Sequence, residues 1–261
     1  MFRSLILSAC VIGVVAGLAM TAFQSFGVTP IILAAEQYEV SEPAEPESAH
    51  PHEAAGHTHE HGQAGDHHHH GGDEWAPADG FERTFYSAVS NICAGIGFAA
   101  LLLVVMNQLR ERGRMTPNAS RGLLLGALGF VAVFMAPSLG LPPEVPGASA
   151  AALESRQLWW VATVLLTVAG LGILFLAGGW QRILGVPLLL VTHFFVPTHE
   201  GPMFSHPDPD AVTALNELHH QFIWATGLSN LAFWLLIGVL CAVTLNYLSR
   251  TGRIHHEQVP A

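Results

Sequence analysis

Thr84–Leu109 reads TFYSAVSNICAGIGFAALLLVVMNQL, 26 residues without a single charge. A hydrocarbon core about 30 Å thick asks for roughly 20 apolar residues in a helix. Backbone N–H and C=O groups find no partner in lipid, so such a stretch crosses as a helix and not as a lone strand. Working outward, similar uncharged runs recur at Ser4–Ala35, Gly122–Pro143, Gln157–Gln181 and Gln221–Ser249, with a shorter one at Ile183–His199 that carries Pro187 near its start. The whole chain of 261 residues is 51% hydrophobic and 11% charged, with a mean hydropathy of +0.40. A soluble domain of this size needs more charge to cover its surface. The expected fold is all-α: a polytopic transmembrane bundle of about six spans, with five as the alternative if Ile183–His199 is re-entrant.

The charges divide the loops. Counting six alternating spans, Arg3, Arg110, Arg112, Arg114, Arg121, Arg182, Arg250 and Arg253 fall on one side, and Arg83 and Arg156 on the other. The positive-inside rule then puts both termini in the cytoplasm of an inner (cell) membrane protein. All ten basic residues are Arg. Without Lys a GxxxxGK[ST] phosphate loop is excluded, so this chain binds no nucleotide in that manner; nothing points to nucleic acid either.

The expected organisation is a first span and interfacial segment over 1–35, an outer loop over 36–82, a bundle of about five further spans over 83–249 and a cytoplasmic tail over 250–261. Met1–Met20 has the look of a signal peptide, and Leu7-Ser8-Ala9-Cys10 of a lipoprotein site. Six residues before that tetrapeptide are too few for an apolar region, so the first span is expected to be retained. Pro30 should break it before Ile31–Ala35. Cys10, Cys93 and Cys241 sit one to a span, a spacing that suits packing and not a disulfide framework or a CxxC site.

The loop Glu36–Glu82 holds 12 acidic residues and nine of the 16 His. Its composition cannot bury enough surface to fold alone, and disorder is expected. His50, His52, His57, His59, His61, His67, His68, His69 and His70 form H-x-H, H-x-H-x-H and HHHH clusters. Neutral imidazole suits zinc, copper, nickel and cobalt, and carboxylates complete a shell. Such a tether captures metal and is not itself a translocation site.

Polar groups also fall at membrane depth. His193, His199, His219 and His220 are expected metal ligands, with Glu200 and Glu217 beside them. Asn91 and Asn230 are possible pathway residues. The competing reading is that the asparagines bond neighbouring helices. These groups are expected to converge on the outer half of the bundle, where ionisable residues mark ion pathways. His255 and His256 lie on the tail. Trp159 and Trp160 read as headgroup anchors, and Pro142, Pro143 and Pro146 as a rigid outer turn. His199-Glu200 opens like HExxH but meets Pro202 and Met203, and no nucleophile motif appears, so no enzyme is expected.

TPIILAAEQYE (Thr29–Glu39), WAPADGFERTFYSAVSNICAGIGFAALL (Trp75–Leu102), APSLGLPPEVPG (Ala136–Gly147) and ESRQLWW (Glu154–Trp160), with Asn230, Phe233 and Trp234 in the last span, resemble the CbtA family of predicted cobalt transporter subunits. The resemblance is collinear over most of the chain. It implies a multi-pass membrane protein in cobalt uptake, often tied to cobalamin supply, working with a second, small one-span subunit that itself carries histidines. It supplies no binding residues. Two functions stay open: a membrane subunit of a divalent-metal uptake transporter, cobalt first and Ni²⁺ or Zn²⁺ as alternatives, or a non-transporting metal-binding membrane protein such as a sensor or accessory.

Overall fold

The computed structural model describes residues 2–38 and 77–251. The nine loop histidines, with His255 and His256, lie outside them. The described residues are helical and contain no strand. In chain order they form α1 (Phe2–Gly27), α2 (Thr29–Glu36), α3 (Phe81–Glu111), α4 (Ala119–Phe130), a widened π turn (Val131–Met135), α5 (Ala136–Gly140), α6 (Leu153–Leu176), a 3-10 turn (Gly179–Leu184), α7 (Gly185–Leu190), a second 3-10 turn (Val191–Phe194) and α8 (Pro209–Arg250). Five helical stretches are long and apolar enough to cross a membrane: Arg3–Gly27, Phe81–Glu111, Ala119–Gly140, Leu153–Leu176 and Pro209–Arg250.

The bundle is assembled by glycines that let backbones touch. A Cβ on Gly17 of α1 would stand 2.5 Å from the Ile92 Cα of α3, and one on Gly95 would stand 2.8 Å from the Gly13 carbonyl oxygen. Gly122 and Gly126 of α4 lie in the same way against Gly238 and Trp234 of α8. Lipid tails are as apolar as leucine, so close packing, and not exclusion from water, drives such helix pairs together. The core between α1, α3 and α8 is filled by Ala16, Ala99, Leu103, Met106, Ile237, Cys241 and Leu245, each at most 1% exposed.

Two boundaries differ from the sequence reading. The first helix breaks at Val28, and Pro30 sits in the opening turn of α2, where its missing N–H costs nothing. Ile31–Ala35, read as interfacial, lies in this second helix. The last helix starts at Pro209 and not near Gln221. Its Asp208 cap accepts the Asp210 N–H, and its 42 residues make a rod about 63 Å long, far beyond a bilayer core.

Ile183–His199 does not form one long helix. It runs back along α6 as short helical pieces. Gly185 packs on Gly170 and Leu174, Thr192 lies at Trp159, and Val196 meets the Gly140 position. The chain thus returns to the end of the bundle at which α5 finished before α8 begins.

Candidate metal-handling site

Pro137 shapes the first wall. It has no N–H to give the Val133 carbonyl, so the helix ahead of it widens. Ala136 N–H reaches back five residues to Val131. Such π turns inside α-helices recur at functional sites. The Ala136 carbonyl is hydrogen-bonded by His193 Nε2 at 3.0 Å. Trp159 of α6 stands edge-on to the imidazole, centroids 6.0 Å apart, and its indole N–H donates to the Thr192 carbonyl at 2.8 Å. Three distant stretches are knitted together: Ala136–Gly140, the start of α6, and Val191–Phe194. Trp159 is 6% exposed and so is no headgroup anchor; Trp160, at 41%, faces outward. Sequence reasoning missed Thr192 and the π turn; Pro137 inside an apolar run was the available signal for the second.

A second group caps the end of the bundle where α2 lies. Val28, Ala35, Val145, Phe204, Leu215 and Phe222 form an apolar cluster. His219 is 7% exposed and stands edge-on to Phe204. His220 and Glu217 point outward on the same helix, and His199 lies half-buried on the connection leading to it.

A third place is the root of the long loop. Arg83 pairs with Glu36 through both carboxylate oxygens, at 3.2 and 2.5 Å, and with Asp79 at 2.9 Å. This closes the loop's two ends on each other. Beside it a cleft of about 460 Å³ is lined by Gln24, Ser87, Ser90 and Asn91. Asn91 Nδ2 donates to Thr21 Oγ1 at 3.0 Å and Gln24 Oε1 at 2.6 Å, so its amide joins α3 to α1. Asn230 Nδ2 donates to the Thr226 carbonyl in its own helix.

The expected ligands therefore occupy separate places, and among the described residues no three His, Cys, Asp or Glu side chains come together to hold an ion. Yet several polar atoms are buried with no hydrogen-bond partner: Asn107 Oδ1 and three nitrogens of Arg110 in α3, and Thr192 Oγ1, His193 Nδ1, His199 Nε2, His219 Nδ1 and Thr226 Oγ1 in the stretch 192–226. Buried polar atoms without partners are rare enough that each invites an explanation.

The described cysteines are free, Cys241 buried and Cys93 exposed. No curated protein and no solved structure matches the chain. One family model, described as "Probable cobalt transporter subunit (CbtA)", matches residues 2–246. That span takes in every helix described above except the last turn of α8, and the chain belongs to the CbtA family.

Proposed function

We propose that this chain is the conducting subunit of a cobalt importer, with its histidine-rich loop outside the cell and its bundle passing the ion inward. The observation that carries this reading is the family match laid over five apolar helices. The orientation draws on Arg placement: Arg110, Arg112, Arg114, Arg121, Arg182 and Arg250 cluster at the ends of α3, α6 and α8 and the start of α4, whereas Arg83 and Arg156 stand at the opposite ends. The return of 185–196 along α6 supports an even number of crossings, with both termini in the cytoplasm.

In this scheme His50–His70 collects Co²⁺, with Ni²⁺ and Zn²⁺ as competitors that the same imidazoles accept. Arg83 holds the two described ends of the loop together through Glu36 and Asp79. His219 and His220 receive the ion, and His193, His199, Asn91 and Asn230 are separate stations to which it passes. A small histidine-bearing partner completes the transporter, and any nucleotide-driven energy comes from outside this chain. Deletion of residues 39–76 tests the scheme against a sensor or accessory role. A conduit keeps slowed cobalt uptake at high external metal. A sensor loses its response altogether, and that result would reject conduction.

A further inference from the structure

We infer that His193 is a metal-ligating position inside the bundle and that it binds through Nδ1, its tautomer fixed by the Ala136 carbonyl. The inference rests on the conduit reading and names the atom that would do the work.

A carbonyl oxygen only accepts. Nε2, 3.0 Å from the Ala136 oxygen, therefore carries the hydrogen. A neutral imidazole has one N–H, so Nδ1 is left with a bare lone pair. That atom is buried and bonds nothing among its neighbours. The arrangement is the one by which proteins prepare a histidine for a metal: one nitrogen donates to a backbone carbonyl, which sets ring orientation and raises the basicity of the other. Here the π turn at Pro137 and the edge of Trp159 hold the two partners in place.

The ligand class follows from the atom. A neutral imidazole nitrogen takes borderline cations such as Co²⁺, Ni²⁺ and Zn²⁺ and not Mg²⁺ or Ca²⁺. Thr192 Oγ1, next in sequence, 93% buried and also without a partner, adds a neutral oxygen to the same turn. Among the described residues no group of three ionisable ligands comes together, so the side chains here supply only partial coordination. Weak, partial coordination suits a point of passage, because an ion held too tightly cannot leave.

His193→Gln separates this role from a merely structural one. The glutamine amide nitrogen reaches the position of Nε2 and still donates to Ala136, but nothing replaces Nδ1. The full chain in detergent is titrated with Co²⁺ alone while Trp159 emission is read as the difference between the chain and its Trp159→Phe variant; total bound cobalt is measured in parallel by dialysis. Co²⁺ at Nδ1, beside the indole, quenches that emission, and Zn²⁺ does not. The expected result for His193→Gln is loss of the quench, an uptake rate lower by at least about 10-fold, and unchanged cobalt held by the loop. Wild-type quench and uptake in His193→Gln would overturn the inference. Should that variant fail to fold, the wild-type titration decides alone, since absence of any Trp159 quench by Co²⁺ overturns it too. The quench reads local binding whether or not the chain transports, so a failed conduit and a failed ligand give different results.

Discussion

Gly122→Ala is a one-carbon change whose effect follows from the packing. A Cβ there would stand 2.5 Å from the Gly238 carbonyl oxygen and 2.8 Å from the Ala242 Cβ. Carbon atoms rest at about 3.5–4.0 Å from their neighbours, so α4 and α8 must part by about 1 Å. The obstacle is backbone, which cannot rotate away. Overpacking of this kind costs about 1–3 kcal/mol, against which alanine regains up to about 1 kcal/mol of helix propensity. With the full propensity gain the net loss is about 0–2 kcal/mol, and the backbone obstacle places it in the upper part of that range. Gly97→Ala in α3 is the control, because a Cβ there meets nothing within 4 Å and it gains the same propensity without the clash. Thermal unfolding of the purified chain in detergent, followed by Trp emission, reads both. Gly122→Ala should melt several degrees below wild type and Gly97→Ala at or above it. Equal midpoints for the two variants would refute the claim that α4 and α8 touch backbone to backbone.

Three further outcomes are expected. Trp159→Phe leaves the Thr192 carbonyl without its indole donor in a buried site and should destabilise the chain by about 1–3 kcal/mol, measured by the same melt. Arg83 and Glu36 are each about 30% exposed, so an Arg83→Gln, Glu36→Gln double-mutant cycle should give a coupling of only about 1 kcal/mol or less; a value of several kcal/mol would show that the loop root is a structural keystone. Cobalt retention by the full chain, relative to the 39–76 deletion, should fall as pH drops below about 6.5, because only neutral imidazole binds metal; equilibrium dialysis from pH 7.5 to 5.5 checks the sign.

Hydropathy locates the long helices because lipid imposes one requirement on every residue of a span. It locates their ends poorly. Pro209–His220 is polar, so uncharged runs do not reveal it, although Asp208-Pro209-Asp210 is a legible helix start. The Trp159–Trp160 pair misleads for a different reason. Position at an interface says nothing about which face of a helix each ring occupies, and the partner of Trp159 lies 33 residues away. His193 can be named from its place in an apolar run, but its bond to Ala136 joins residues 57 apart in sequence. Only the fold tells which nitrogen is left free.

The central claim is inward conduction of cobalt, and labelled Co²⁺ accumulation tests it most directly, in cells expressing the chain with and without its small histidine-bearing partner. The account predicts uptake that depends on this chain and that competing Ni²⁺ or Zn²⁺ reduces. Cells that hold no more cobalt with the chain and partner than without them would contradict it.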